Sequence, residues 1–418
     1  MAKFEIKDGV AIIPEGTTEI GEDTFYNCSS LESVIIPESV KKIGDYAFEG
    51  CTSLESITLP DSVASIGWYA FTSCASLESI VVAEDNPVYD SREGCNAIIE
   101  TKTNTLIFGC KSTIIPESVT KIGDNAFDGC SSLRSIIIPE SVKEIGIGAF
   151  RWCAVLESIT LPESVEEIGE CAFWNCESLK SITLPKSVTK IGDNAFGHCT
   201  SLESITLPDS VASIGWYAFT DCTSLKNITL PDSVTFLGEN AFSHCTSLES
   251  ITISKSVTEI GHYAFDGCSL LKSIIIPESV KEVGIGAFRW CAVLESITLP
   301  ESVTRIGCYA FMGCTSLKSI TIPESVTRIE QNAFKGCASL TNVAIPESVR
   351  EIEEYAFEGC TSLTTVILPV RMKDINLTAF YKCPSLSTIY VPAEKTDYYK
   401  ELLPEKLHDK IVELAPEK

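Results

Sequence analysis

Cysteine is the first side chain to consider for metal binding, nucleophilic attack or disulfide formation in this sequence. Nineteen cysteines are present, and fifteen of them lie three residues after a regularly spaced phenylalanine. An odd number of cysteines in equivalent places cannot pair completely, and no CxxC or Cys/His group with zinc spacing occurs. We expect the fifteen to be reduced and to pack as small apolar side chains. Occasional disulfides between neighbouring repeats are the alternative.

Histidines and carboxylates are the other groups that could do chemistry. His198 and His244 occupy the same place in repeats that are two apart, which predicts a separation of roughly 9.6 Å, too far to share a metal ion. The carboxylates recur with the repeat, as solvated surface groups would, and no phosphate loop, HExxH or GxSxG motif is present. Catalysis requires an asymmetric, enclosed group of side chains. We therefore predict no catalytic residue, no metal site, no cofactor and no enzymatic activity.

Large aromatic residues are the candidates for binding a partner. They stand two or three residues before the regularly spaced phenylalanine, at positions where exposed rings could anchor a protein or a sugar. The candidates are Trp68, Tyr69, Trp216, Tyr217, Tyr263 and Tyr309. In the alternative interpretation, these rings only cover the edges of the outer wall.

All of these residues belong to one repeated motif of 23 residues, most of which is seen in LESITLPDSVASIGWYAFTSC at positions 54–74. Its phenylalanine recurs in steps of 23, apart from one step of 56 between Phe71 and Phe127. The fifteen positions are Phe25, Phe48, Phe71, Phe127, Phe150, Phe173, Phe196, Phe219, Phe242, Phe265, Phe288, Phe311, Phe334, Phe357 and Phe380. A fixed period of this length indicates a stacked solenoid, in which each repeat contacts only its neighbours.

The motif also predicts which side chains are buried. Leu54, Ile57 and Leu59 should point into the core, and strand alternation then places Ser56 and Thr58 outside. Acidic and basic residues alternate strictly in the column that runs from Glu157 to Lys318. Stacking would place these opposite charges side by side, as solvated pairs or as a charge pattern for a partner. Residues 61–71 recur at 209–219, so two similar aromatic patches are expected.

The repeat resembles the BspA-like leucine-rich repeats of bacterial and protozoan surface proteins. The matching elements are LxxIxL at 54–59, PDSV at 60–63, IG at 66–67, AF at 70–71 and CxSL at 74–77. The resemblance implies an α/β-type repeat solenoid: a curved rod with a parallel β-sheet on its concave face. On the convex face it implies short 3-10, irregular or second-strand segments, with little true α-helix. It also implies adhesion or interaction without catalysis.

Five segments make up one predicted solenoid domain, 1–418. Residues 1–27 form a partial repeat or cap, 28–80 form repeats, and 114–388 form regular repeats. The terminal cap, 389–418, should contain a strand, a short helix and a final strand. The insertion at 81–113 has two apolar runs around a polar turn at 101–105, which indicates a hairpin. It is either a longer variant rung or a binding element that projects from the stack.

Charge and termini restrict the partners and the location. The formal net charge is −25, which disfavours nucleic acid, because an acidic surface repels phosphates. No apolar run is long enough to span a membrane, and residues 1–6 carry no secretory signal. From the resemblance we expect a secreted or cell-surface monomer that binds protein or glycan, whose secretory signal is not part of this sequence. An intracellular protein is the alternative. Regular outward Ser/Thr pairs leave open the hypothesis of binding to ice or crystalline polysaccharide. A structural spacer is a further hypothesis.

Overall fold

The computed structural model describes residues 4–414. The first three residues of the predicted N-terminal segment and the last four of the predicted terminal cap lie outside the described residues. The chain divides into two compact units, Met1–Ser210 and Val211–Lys418. Each unit is a parallel β-solenoid built from the 23-residue repeat, as the sequence predicts. A single domain that spans the whole chain stays a prediction.

One turn of the solenoid, here called a rung, contains two strands and a tight corner. In the rung that begins at Leu54, the strand Ser56–Leu59 buries Ile57 and Leu59 and exposes the alternate residues Ser56 and Thr58. Pro60 ends this strand, because proline supplies no N–H to the ladder. A two-residue strand, Ser65–Ile66, follows on a second face. We call the strands at these two places front strands and back strands, and residues 67–74 and their equivalents the corner segment.

The described residues of the first unit contain nineteen strands and one 3-10 turn, Arg92–Gly94. The strands are β1 (Ile6–Lys7), β2 (Val10–Ile12), β3 (Glu19–Ile20), β4 (Ser33–Ile35), β5 (Lys42–Ile43), β6 (Ser56–Leu59), β7 (Ser65–Ile66), β8 (Ser79–Val82), β9 (Tyr89–Asp90), β10 (Ala97–Glu100), β11 (Thr105–Gly109), β12 (Lys121–Ile122), β13 (Ser135–Ile137), β14 (Glu144–Ile145), β15 (Ser158–Thr160), β16 (Glu167–Ile168), β17 (Ser181–Thr183), β18 (Lys190–Ile191) and β19 (Ser204–Thr206). Front strands pair in the orders β1-β2-β4-β6-β8 and β13-β15-β17-β19. Back strands pair in the orders β3-β5-β7 and β11-β12-β14-β16-β18.

The second unit continues the same alternation. Its strands are β20 (Ser213–Ile214), β21 (Asn227–Thr229), β22 (Phe236–Leu237), β23 (Ser250–Thr252), β24 (Glu259–Ile260), β25 (Ser273–Ile275), β26 (Glu282–Val283), β27 (Ser296–Thr298), β28 (Arg305–Ile306), β29 (Ser319–Thr321), β30 (Arg328–Ile329), β31 (Asn342–Ala344), β32 (Glu351–Ile352), β33 (Thr365–Ile367), β34 (Asp374–Ile375), β35 (Thr388–Val391) and β36 (Ile411–Glu413). The α-helix α1, Thr396–Leu402, and a 3-10 helix, Glu405–Lys410, lie between the last two strands. This is the predicted order of strand, short helix and final strand.

The core of each unit repeats the same contacts at every rung. Neighbouring phenylalanine rings stack, for example Phe150 and Phe173 with centroids 5.4 Å apart. In most rungs the cysteine thiol donates to the phenylalanine carbonyl of the preceding rung, as Cys153 Sγ does to Phe127 O at 3.2 Å. All nineteen cysteines are free, and every one in the repeated position is buried except Cys28, which is half-buried. The prediction that these cysteines are buried is confirmed apart from Cys28, and their reduced state stays a prediction.

Glycine follows most back strands because adjacent rungs come very close there, and Glu330, Glu353 and Asn376 take its place after the last three back strands. A Cβ atom at Gly67 would lie 2.4 Å from the Asp45 backbone nitrogen and 2.5 Å from the Gly44 carbonyl carbon. The glycine itself does not have a positive φ. Steric room, and not unusual backbone geometry, is therefore the reason for glycine at this position.

The insertion forms the predicted hairpin. β10 and β11 pair antiparallel, β9 pairs with the other edge of β10, and β11 runs parallel to β12 of the next rung. Ile98, Ile99 and Leu106 are fully buried, and Phe108 packs on Phe71 with ring centroids 5.1 Å apart. The hairpin is thus part of the stack, as expected of a longer variant rung.

Candidate ligand cleft beside the insertion

The predicted aromatic residues differ widely in exposure. Trp68 is 75% exposed, Trp216 is 51% exposed and Tyr217 is 41% exposed. Tyr69, Tyr263 and Tyr309 are half-buried. The structure brings Trp68 and Tyr69 together with the insertion in the first unit, and the other four candidates belong to the second unit.

The tyrosine position has left-handed backbone geometry in every rung except that of Phe380, where Thr378 occupies it. Tyr69 has a φ of +56° and Tyr217 a φ of +57°. Residues other than glycine lose about 1 kcal/mol in this region, and asparagine tolerates it best among them. The residues with positive φ at this position are Asp23, Tyr46, Tyr69, Asn125, Gly148, Cys171, Asn194, Tyr217, Asn240, Tyr263, Gly286, Tyr309, Asn332 and Tyr355. The geometry accounts for Asn and Gly in this column, so the tyrosines need another explanation.

Contacts with the neighbouring rungs explain part of the tyrosine pattern. Tyr69 stacks on Tyr46 with centroids 5.5 Å apart and an interplanar angle of 7°. On its other side, the Arg151 guanidinium lies 5.5 Å from the Tyr69 ring centroid. Arg151 also donates to the buried Asp128 carboxylate, with Nε 3.1 Å from Oδ1. This hydrogen bond helps to raise the pKa of Arg151 above its ordinary value, so the cation beside Tyr69 persists at all accessible pH values.

The second unit contains a related contact. The Arg289 guanidinium lies 5.0 Å from the Tyr263 ring centroid, and Arg289 Nε donates to Asp266 Oδ1 at 2.9 Å. Tyr309 N–H donates to Gln331 O at 3.0 Å. The tyrosines therefore pack against neighbouring rungs in some places, as the interpretation of wall-covering rings expects. The exposed tryptophans remain free to contact a partner.

Asn86 fixes the insertion on the preceding rung. Its amide Nδ2 donates to Pro60 O at 3.0 Å and to Val63 O at 2.9 Å. Its Oδ1 accepts from the N–H groups of Val88 and Tyr89, both at 2.9 Å. Asn86 is buried, so all of these bonds are shielded from water. Sequence analysis did not single out this residue, although the Asn-Pro-x-Tyr order at 86–89 was a usable signal.

A wedge-shaped cleft opens where the insertion enters the stack. The strands β9, β10 and β11 of the insertion come between the back strands β7 and β12 in chain order, and β11 pairs with β12. At the far end of the corner segment, however, Ser73 N–H donates directly to Asp128 O at 3.2 Å. The two rungs are therefore held apart at one side and touch at the other. The space between them is the cleft.

The cleft has the dimensions of a small binding site. Its volume is about 560 Å³, within the range of about 300–1,000 Å³ usual for ligand pockets. Trp68, Tyr69 and Phe71 form one wall, and Asp124 and Asn125 lie on the opposite one. The remaining lining residues are Ile66, Gly67, Ala70, Thr72, Tyr89, Glu100, Thr105, Ile107, Phe108, Lys121, Gly123 and Ile147.

Most charged groups in the cleft form ion pairs or hydrogen bonds with other residues of the protein. Lys121 forms an ion pair with Glu144 at 2.5 Å, and Thr103 Oγ1 donates to Glu100 Oε2 at 2.5 Å. Asp124 Oδ1 accepts from Ile147 N–H at 3.0 Å, which leaves its second oxygen for solvent or a ligand. Among residues 4–414, no group of three or more His, Cys, Asp or Glu side chains is placed to hold a metal ion.

The front surface carries the predicted charge pairs and hydroxyl rows. Lys272 Nζ lies 2.9 Å from Glu249 Oε2, and Lys318 Nζ lies 2.7 Å from Glu295 Oε2. Both pairs are exposed, so solvent screens them and they contribute little to stability. In the first unit, Ser158 aligns with Ser181 of the next strand. The prediction of side-by-side opposite charges is confirmed.

Comparisons with known proteins agree with this architecture. The family model described as "BspA type Leucine rich repeat region (6 copies)" matches residues 10–95, 107–215, 189–293 and 281–403. A leucine-rich repeat protein from Bacteroides ovatus is similar at 31% identity over 97% of this chain and 92% of that one, with a TM-score of 0.62. No curated protein sequence matches significantly.

Two further solved structures are more distant. A leucine-rich repeat protein from Eubacterium ventriosum has 23% identity over 86% of this chain and 92% of that one, with a TM-score of 0.52. A leucine-rich cell surface protein from Faecalibacterium prausnitzii has 28% identity over 92% of each chain, with a TM-score of 0.44. None of the helices in the described part of the chain has the length and apolar character needed to cross a membrane. From the family match along the repeats and the Bacteroides relative, the chain belongs to the BspA-type leucine-rich repeat family.

Proposed function

We propose that this protein is a non-enzymatic interaction module, secreted or displayed at a cell surface, that binds protein or glycan partners through its repeat surface. The observation that carries the proposal is Trp68, which is 75% exposed at the wall of the cleft. A large ring left in water contributes nothing to the core, and tryptophan is enriched among the residues that dominate binding interfaces. Family membership supports an interaction role and a location outside the cell.

Repetition supports the absence of catalysis. The carboxylates, hydroxyls and amides of the surface recur at equivalent places in successive rungs, where their surroundings are nearly the same. A catalytic site requires groups whose environments differ and converge. The surface is suited to burying partner area over several rungs.

The test is a direct binding assay with the full chain. Purified extracellular-matrix proteins and a glycan array are the probes, and the variants are Trp68→Gln with Tyr69→Asn, the matching Trp216→Gln with Tyr217→Asn, and all four together. Gln331 and Asn125 occupy the same two positions in other rungs, so these changes suit the local backbone. We expect the fourfold variant to lose binding while its circular dichroism is unchanged. If it binds every partner as the wild type does, the aromatic residues only cover the wall.

A second candidate function uses the front surface. The aligned Ser158 and Ser181, with Thr160 beside Thr183, supply hydroxyls at a spacing of about 4.8 Å. Such rows could bind a periodic solid such as crystalline polysaccharide or ice. The neighbouring charged pairs, such as Arg134 with Glu157 at 3.0 Å, hold water and weigh against this function. Retention of the protein on crystalline cellulose or in growing ice would favour it over the proposal.

A further inference from the structure

The cleft occupies the place where one set of corner-to-corner hydrogen bonds is missing. In regular rungs, three N–H groups of a corner segment donate to three carbonyls of the next one. Tyr46, Phe48 and Gly50 donate in this way to Trp68 O, Ala70 O and Thr72 O at 2.8–2.9 Å. Every regular corner is thus closed on both sides by backbone hydrogen bonds.

Only the third of these bonds survives between the rungs of Phe71 and Phe127. Ser73 N–H still donates to Asp128 O at 3.2 Å. The carbonyl of Ala126 accepts instead from Gly109 N–H of the insertion, at 2.8 Å. The first two bonds of the regular set, which would start from Tyr69 and Phe71, are replaced by open space.

Three backbone groups consequently line the cleft unsatisfied. Within residues 4–414, the N–H groups of Tyr69 and Phe71 and the carbonyl of Asp124 have no hydrogen-bond partner. They lie on opposite walls of the same space. Backbone N–H and C=O groups that are unpaired within the protein are available to bind another chain, as they are at the open edge of a sheet.

We propose that the cleft binds an extended peptide segment of a partner protein, which takes the place of the missing corner. Two peptide carbonyls accept from Tyr69 N–H and Phe71 N–H, and a peptide N–H donates to Asp124 O. An added peptide strand recognised through main-chain hydrogen bonds is an established binding mode. The donors on one wall and the acceptor on the other match the two edges of one extended chain, because successive residues offer N–H and C=O to alternate sides.

The side chains of the cleft select the composition of the peptide. Ile66, Ile107 and Phe108 provide an apolar floor, which favours one apolar peptide side chain. Glu100, Asp124 and Lys121 line the cleft. Because Lys121 is already paired with Glu144, the charge left for a ligand is negative, and the net charge of the chain is −25. Because opposite charge steers and aligns a partner, the peptide should carry a basic residue next to the apolar one.

This inference rests on the proposed interaction function, and its first test needs no partner. Amide hydrogen exchange, resolved to single residues, should be at least about tenfold faster at Tyr69 and Phe71 than at Tyr46 and Phe48, because exchange requires an open hydrogen bond. Tyr217 and Phe219, which donate to Glu239 O and Ala241 O at 2.8 Å, are matched controls in the second unit. Equal protection at all six amides would overturn the proposal.

The second test identifies the ligand class. A phage-displayed library of random linear peptides is selected on the full chain, and the enriched peptides are synthesised. Selected peptides should share an apolar-basic pair, and Ile107→Trp, which fills the cleft, should weaken their binding at least about tenfold. Ile275→Trp, the same change at an exposed front-strand position of the second unit, should leave their affinity unchanged. Circular dichroism and the melting temperature verify that each variant is folded.

The peptide backbone provides a test that is independent of protein variants. N-methylation of one central peptide amide should abolish binding, because it removes the donor to Asp124 O. Binding that is insensitive to every N-methylation, or equal for Ile107→Trp and wild type, would overturn the peptide proposal. A glycan that binds in the cleft in place of peptides would also overturn it and would leave the interaction function intact. Loss of partner binding in the Trp216→Gln/Tyr217→Asn variant, with the Trp68→Gln/Tyr69→Asn variant binding as the wild type does, would locate the interaction outside this cleft and overturn the peptide proposal.

Discussion

The repeated cysteine shows how one residue type can be chemically reactive and yet inert in a fold. Its thiol is buried in nearly every rung, and in most rungs it donates to the phenylalanine carbonyl of the preceding rung. Burial raises the pKa of Cys130 to about 12 and that of Cys383 to about 11. The thiolate, which is the reactive form, is therefore scarce at neutral pH.

Thiol titration tests this directly. A thiol reagent such as dithionitrobenzoate should react with few groups in the native protein, chiefly the half-buried Cys28, Cys171 and Cys308. After denaturation it should react with all nineteen cysteines. A deficit that persists in denaturant without reductant would mean that some cysteines are oxidised.

Glu358 predicts a pH dependence of stability. It is buried, and its carboxylate forms ion pairs with Lys335 Nζ at 2.7 Å and Lys382 Nζ at 3.2 Å. The hydrogen bond from Lys335 is the main cause that lowers the pKa of Glu358 below its ordinary value of 4.5. A carboxyl whose pKa is lower in the folded state contributes stability above its unfolded pKa, and the contribution is lost as pH falls through the folded pKa.

The corresponding experiment compares wild type with Glu358→Gln. The difference in the free energy of unfolding should be largest near pH 7 and should shrink as the pH is lowered below 4.5. Urea denaturation at several pH values measures it. A difference that does not change with pH would show that Glu358 acts through packing alone.

At the scale of the element, each rung is stabilised by its own core and by its two neighbours. Phe196 is fully buried in the first unit, and Phe173 stacks on it with centroids 5.4 Å apart. Truncation of such a ring leaves a cavity that cannot collapse, because the stacked rungs hold its walls in place.

Phe196→Ala should therefore destabilise its rung by about 3–5 kcal/mol. Because coupling in a solenoid is between neighbours, the single unfolding transition should split into two. Differential scanning calorimetry would show this. Exposed Lys190→Ala in the same rung is a control, and a melt of Phe196→Ala that matches that control would contradict the predicted role of the ring.

Sequence and structure agree best where the repeat is regular. Alternation identified the buried Ile57 and exposed Thr58, and two apolar runs identified the hairpin of the insertion, because both patterns follow from local periodicity. The cleft could not be predicted, since it depends on how rungs far apart in sequence meet, as at Ser73 and Asp128. The left-handed geometry at Tyr69 was also missed. Asparagine and glycine at equivalent positions were the available signal.

For the whole molecule, the dominant property is a net charge of −25. Long-range attraction accelerates the association of a basic partner and is screened by salt over a length of about 8–10 Å at physiological ionic strength. Partner binding should therefore slow with added salt mainly through the association rate.

Stopped-flow measurements with the selected peptides test this expectation. The association rate should fall severalfold between low and physiological salt, while the dissociation rate changes little. A peptide with its basic residue replaced by glutamine is the control and should show a weaker salt dependence. Equal dependence for both peptides would mean that the charge of the chain does not guide binding.

The interruption at the insertion has a mechanical consequence. The front strands pair as far as β8 and begin again at β13, and a single backbone bond joins the corner segments of Phe71 and Phe127. Under tension, a stack of this kind yields at its least cross-linked joint. When the chain is pulled by its ends in optical tweezers, the first extension should release the roughly 80 residues before the insertion, about 27 nm of contour length. A peptide bound in the cleft would add bonds across that joint, so the force of this first step should rise when the peptide is present.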